Sequence, residues 1–251
     1  MKKSTWLPLL LTLCLTLLFA CSKDKDPDPG QPVIEKTKEQ LSAEILGKWT
    51  LGLASARTSA DIGSIEFLAD STFIYQELSK NSVVGKYLIV SGNEVTLAKN
   101  GKVSGVTIDG TKLSGSVTWN AATMKVSGNK VSTVVTGSKT DLLARAWTLT
   151  KLEDGNLLND NDFGADKLNV IFSQAGTYLG QFLAGANIIE EANMNWRWHS
   201  TKPDQLVYWE TGSPVNEERD YVVIRELTGS ILKTTEYRDG EQSNYTFIPL
   251  K

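Results

Sequence analysis

The 251-residue sequence predicts an all-β protein made of two tandem, eight-stranded, up-and-down antiparallel barrels. Three observations carry this expectation. Apolar and polar residues alternate in stretches such as Val103-Ser104-Gly105-Val106-Thr107-Ile108 and Tyr221-Val222-Val223-Ile224, the pattern of strands with one buried face. Turn formers recur at short intervals: Ser91-Gly92-Asn93, Asn100-Gly101, Asp109-Gly110, Ser127-Gly128-Asn129 and Asp239-Gly240. The chain also repeats itself once. Ile45-Leu46-Gly47-Lys48-Trp49-Thr50-Leu51 aligns with Leu143-Ala144-Arg145-Ala146-Trp147-Thr148-Leu149, and Ile65 to Phe73 with Val170 to Tyr178.

The two tryptophans lie 98 residues apart, the spacing of a domain repeat rather than a solenoid. Strands are expected in the first copy near 47–54, 63–69, 71–77, 84–90, 94–98, 103–108, 112–118 and 130–136. In the second they fall near 145–152, 167–173, 175–183, 193–199, 205–210, 219–226, 230–237 and 243–249. One short helix is expected around Thr37 to Ile45. The Trp-to-Phe spacing is 18 in the first copy and 25 in the second, which places a longer loop near Asn159 to Asp166. About eight short strands per hundred residues suit a closed barrel, which removes exposed sheet edges. Gly137-Ser138-Lys139 breaks the alternation, so the barrels divide as 43–137 and 138–251.

Residues 1–20 carry a basic start, Lys2-Lys3, and an apolar run from Trp6 to Phe19. Fourteen residues are too few to cross a hydrocarbon core of about 30 Å, so the segment reads as a signal peptide. It closes on Leu18-Phe19-Ala20-Cys21, which resembles the lipobox of bacterial lipoproteins. That resemblance implies cleavage before Cys21 and lipidation of its thiol, anchoring the chain in the outer membrane of a bacterial cell envelope. Residues 21–42 are expected to be a flexible tether. Its charged, proline-bearing start, 22–30, is similar to the surface-export signals of some Gram-negative lipoproteins, which implies exposure at the cell surface; a plain solvated spacer has the same composition. Cys14 leaves with the signal, so the mature chain forms no internal disulfide. It also loses Lys2 and Lys3, leaving 24 basic against 29 acidic residues. That balance excludes a nucleic-acid partner, which requires dense Lys and Arg.

Gly47-Lys48-Trp49 resembles the Gly-x-Trp signature of lipocalins. The phrase Phe67-x-x-Asp70-Ser71-Thr72-Phe73 is similar to the second hairpin of bacterial lipocalin-like lipoproteins, and Arg219-Asp220-Tyr221 resembles the lipocalin Thr-Asp-Tyr motif. The resemblance implies that Trp49, and Trp147 by repetition, plug the closed ends of their barrels. The second copy departs from the signature, because Ala144-Arg145-Ala146-Trp147 lacks the glycine. Trp119 has no evident counterpart.

The copies differ in chemistry. Residues 43–137 hold nine basic, seven acidic and 6 aromatic residues, whereas residues 138–251 hold eleven, seventeen and 13. The second copy is therefore the better candidate for a cavity. On a strand, Trp196 and Trp198 share one face and Arg197 and His199 the other, with Tyr208 and Trp209 on the partner strand. One reading makes these six residues a site for a small apolar or sugar-like ligand, with Arg197 or His199 as polar contact. The other lets the rings fill the core and leaves His199 at the surface or rim.

Enzymatic chemistry is not expected. The sequence has one histidine, and neither a nucleophile elbow nor a glycine-rich phosphate loop. No cofactor or metal is expected either, since Asn159-Asp160-Asn161-Asp162-Phe163-Gly164-Ala165-Asp166 does not fit the calcium-loop spacing. Two functions remain: a non-catalytic binding module, or an envelope interaction protein with filled barrels that engages other proteins or glycans through its surface loops.

Overall fold

A computed structural model describes residues 36–54, 61–78, 82–132, 135–152, 164–238 and 240–251. The signal peptide, Cys21, the tether up to residue 35 and residues 159–163 lie outside the described residues. Two closed eight-stranded antiparallel barrels stand in tandem, an architecture consistent with a two-domain lipocalin-like fold. The first contains β1 (Gly47–Leu53), β2 (Asp61–Phe67), β3 (Thr72–Glu77), β4 (Val83–Ser91), β5 (Glu94–Leu97), β6 (Gly101–Asp109), β7 (Lys112–Trp119) and β8 (Ala122–Lys130). The second contains β9 (Ala146–Leu152), β10 (Lys167–Phe172), β11 (Thr177–Ala184), β12 (Asn187–Trp198), β13 (Gln205–Trp209), β14 (Tyr221–Leu227), β15 (Leu232–Arg238) and β16 (Glu241–Pro249). Each strand pairs with its sequence neighbour, and β1–β8 and β9–β16 close the rings.

A short helix precedes each barrel. In α1 (Lys38–Ile45) the Thr37 hydroxyl accepts from the Gln40 N–H at 3.2 Å, and Gln40 Oε1 accepts from the Thr37 N–H at 2.8 Å, a reciprocal cap. Leu41 and Ile45 are buried, so the packed chain begins upstream of residue 43 and takes in the end of the stretch assigned to the tether. The second helix, α2 (Ser138–Leu143), stands where the sequence showed only a break in alternation. Each helix supplies a carbonyl to a buried indole. Trp49 Nε1 donates to Ile45 O at 2.8 Å and Trp147 Nε1 to Leu143 O at 3.0 Å, and both rings are fully buried. A cation covers each ring: Lys130 lies 5.0 Å from the Trp49 centroid and Arg145 5.5 Å from that of Trp147.

The hairpin after β2 and its repeat after β10 turn identically. The Leu68 N–H donates to Thr72 O at 2.8 Å and the Ser173 N–H to Thr177 O at 2.9 Å. Ser71 and Gly176 take positive φ at the same place, 63° and 79°. Two strands differ from the expectation. β12 starts at Asn187 rather than near 193. The eighth strand runs over Ala122–Lys130 rather than 130–136, and Ser127-Gly128-Asn129 lies within it. Gly128 faces β1 so closely that a Cβ would stand 2.9 Å from Thr50 O; the glycine serves close strand approach, not a turn. The reversal is made by Asn120 and Ala121, both at positive φ.

Two strands do not alternate in burial. Residues 72–75 of β3 and 168–172 of β10 are buried on both faces. Their inward residues fill the barrels, while outward Ile74, Ile171 and Leu179 meet with Leu68 and Ala146 in a separate apolar cluster that joins the barrels. Polar bonds surround that cluster. Glu191 accepts from the Ser82 N–H at 2.9 Å, Gln181 Nε2 donates to Ser82 O at 3.0 Å, and Lys48 Nζ reaches Thr177 Oγ1 at 3.0 Å. Glu66 is buried in this region, and burial raises its carboxyl above the usual 4.5 against the opposing pull of Ser173, Lys48 and Thr177.

Two predictions follow from this packing. Trp147→Phe keeps an aromatic ring but removes the indole N–H bond to the Leu143 carbonyl, which retains the Arg145 N–H, and should cost about 1 kcal/mol; Trp147→Ala should cost about 3–5 kcal/mol. Urea denaturation of both variants reads the difference. Because the folded state raises the Glu66 carboxyl, its contribution is complete below pH 4.5 and is lost as pH rises through the folded value. Glu66→Gln should therefore melt higher than the parent at pH 7 and show no such advantage at pH 4, as thermal denaturation at the two pH values will test.

Candidate functional site

The interiors of the two barrels differ at positions the repeat makes equivalent. The β7–β8 hairpin closes on the pair Trp119–Ala122, and β15–β16 closes on Arg238–Glu241. Counting back by twos along each strand, Val117, Trp119, Ala122 and Met124 of the first barrel correspond to Glu236, Arg238, Glu241 and Ser243 of the second. The counterpart of Trp119 is thus Arg238. The matched turns likewise set Tyr75, three residues after Thr72, against Gly180, three after Thr177.

These exchanges decide which barrel is hollow. In the first, the Tyr75 and Trp119 rings meet at 5.7 Å and Phe73 lies edge-on to Trp119 at 6.1 Å, so aromatic groups span the interior. Burial, reinforced by Glu77, pushes the Tyr75 phenol up to about 12. Above them a recess of about 390 Å³ opens beside Ile62, Glu77 and Met124. In the second barrel, Gly180 and Arg238 leave that span empty, and a cavity of about 470 Å³ runs inward from the open end. Its inner wall is apolar, with Leu168, Val170, Phe172, Met194, Val222 and Phe247. Its outer part carries Tyr208, Glu236, Arg238, Glu241 and Ser243. This is the size and the polarity gradient of a small-molecule pocket.

Tyr178 and Tyr208 stack inside the cavity, their centroids 5.6 Å apart and their planes 17° from parallel. The Tyr208 hydroxyl donates to Glu236 Oε1. Burial first, and then the Glu236 charge, drives both phenols far above their ordinary value and keeps them protonated. A second recess of about 260 Å³ shares Met194, Tyr208 and Arg238 with the cavity and is bordered by residues 209–220.

The six ligand candidates separate in space. Trp196 and Trp198 point inward but sit toward the closed end, where neither lines the cavity. Trp196 Nε1 donates to Ser173 O at 2.9 Å, and Trp198 Nε1 to Thr140 Oγ1 of α2 at 2.8 Å. Tyr208, opposite Trp196 in register, lines the cavity. Arg197 and Trp209 lie on the outer face, with the guanidinium 6.0 Å from the indole centroid. His199 is buried rather than at the surface or rim, because Nδ1 accepts the Thr201 and Lys202 N–H groups at 3.1 and 3.2 Å and draws the ring into its own turn. Glu217 secures the 210–220 segment beside that turn, accepting from Ser200 Oγ at 2.6 Å and pairing with Arg197 at 2.9 Å. The Ser200 hydrogen bond holds its carboxyl below the usual range. Arg197 and His199 thus brace the 210–220 segment and the turn after β12 rather than face the cavity. Glu236, Arg238 and Gly180 escaped the sequence reading; the signal that finds them is the comparison of inward positions between the copies.

Compared with known proteins, the chain matches no family model and no curated protein.

Proposed function

We propose that the chain is a lipid-anchored protein of the bacterial cell envelope whose second barrel holds a small apolar or sugar-like molecule without transforming it. The supporting observation is the cavity of about 470 Å³, apolar within and polar at its mouth. An interior that placed Glu236 and Ser243 where its sister barrel has Val117 and Met124 would be costly unless those groups met solvent or a polar ligand. The protonated tyrosines support binding over catalysis, since a phenol held far above its ordinary value makes a poor base at neutral pH. The first barrel, spanned by Tyr75 and Trp119, fits the second role of a scaffold that meets other envelope proteins or glycans through its loops. Anchorage rests on the resemblance of Leu18-Phe19-Ala20-Cys21 to a lipobox, since acyl chains on Cys21 contribute about 0.8 kcal/mol per buried CH₂.

Native mass spectrometry of the protein from its own host should show a copurifying small molecule. Gly180→Phe, which has only ordinary contacts around the new Cβ, should release it while the barrel stays folded. An empty parent protein, or equal loading of the variant, would sink the cavity reading. Cys21→Ser should move the protein from the membrane to the soluble fraction; unchanged membrane fractionation would refute the anchor.

A further inference from the structure

The cavity has a chemical preference written into its walls. Three charged side chains line it, Glu236, Arg238 and Glu241. Arg238 and Glu241 are exposed at the rim and stand opposite each other in the hairpin register; the Arg238 charge also reaches Tyr178 and Tyr208, and two carboxylates against one guanidinium leave the lining net negative. Glu236 lies one inward position deeper and is half-buried. The Tyr208 hydroxyl occupies Oε1, and Oε2 accepts no hydrogen bond among the described residues. Beside it the stacked pair Tyr178–Tyr208 contributes electron-rich faces, and the inner wall is made of aliphatic and phenyl groups such as Val170, Phe172 and Phe247.

A carboxylate with one open oxygen next to aromatic faces is the recognition chemistry of a cation. An anionic head group at that depth would meet the Glu236 charge in a partly desolvated site, where like charges repel strongly. Resting on the small-molecule reading above, we infer that the second barrel selects cationic amphiphiles: molecules with an apolar body lodged against Val170, Phe172 and Phe247 and an amine or quaternary ammonium head held by Glu236 and the tyrosine faces. The first barrel, with Val117 in place of Glu236 and Trp119 across its interior, lacks this site.

The test uses the Cys21→Ser chain, which retains every described residue, and three probes of equal chain length below their micelle concentrations: decyltrimethylammonium, decanoate and decanol. Calorimetric titration should rank decyltrimethylammonium at least about tenfold tighter than decanoate. Glu236→Gln keeps an oxygen acceptor for Tyr208; it should weaken the cation by about tenfold and leave decanol within about twofold. Decanoate binding as tightly as the cation, or a cation affinity untouched by Glu236→Gln, would overturn the inference while decanol binding kept the cavity reading intact. Failure of all three probes to bind would overturn both.

Discussion

A closed ring of eight strands encloses a fixed, small volume, and every inward position must either fill it or leave space. This constraint governs the rest of the molecule. The two barrels share strand number, closing order and the hairpin turn after the second strand, and the side chains they contribute set their interiors apart. Where Tyr75 and Trp119 meet, aromatic rings span the interior and the remaining space is a recess of about 390 Å³ outside them. Where Gly180 and Arg238 stand instead, one side chain has vanished and the other extends toward the rim, and a cavity remains. The aromatic richness of the second copy does not fill its barrel, because much of it is spent elsewhere: Trp196 and Trp198 close one end, and Trp209 lies outside.

The closed ends are built by one device used twice. A short helix arrives at the first strand and offers a late carbonyl to an indole four residues on, and a basic side chain covers the ring. The bond gives a carbonyl at each helix end a partner from the first strand. It also fixes the entry angle of β1 and β9, and with it the register of each barrel's first pairing. The device survives the loss of the glycine in the second copy, since Arg145, two residues before Trp147, supplies the cation that Lys130 supplies from β8 in the first.

The two barrels are joined by a surface with core character. Outward residues of β3, β10 and β11 bury Ile74, Ile171 and Leu179 together, ringed by polar bonds through Ser82, Gln181 and Glu191. Glu66 carries the cost of that burial in its raised carboxyl. The contact uses the outer face of the second barrel, so its open end and cavity remain separate from it.

Alternation, turn pairs and the repeated tryptophan sufficed to determine an all-β chain of two eight-stranded units, because strand period and turn chemistry are local properties. They misplaced β8, since Ser127-Gly128-Asn129 has the composition of a turn while its glycine answers to Thr50, far away in sequence. They did not reveal that Phe73-Ile74-Tyr75 and Val170-Ile171-Phe172 are buried on both faces, although these unbroken apolar runs are the visible trace of it. Tertiary structure alone decided that Tyr208 faces a cavity while Trp209 does not, that His199 turns inward, and that Glu236 points into the barrel. Each depends on register and on volume left by side chains on distant strands, and no local pattern encodes what a remote glycine leaves empty.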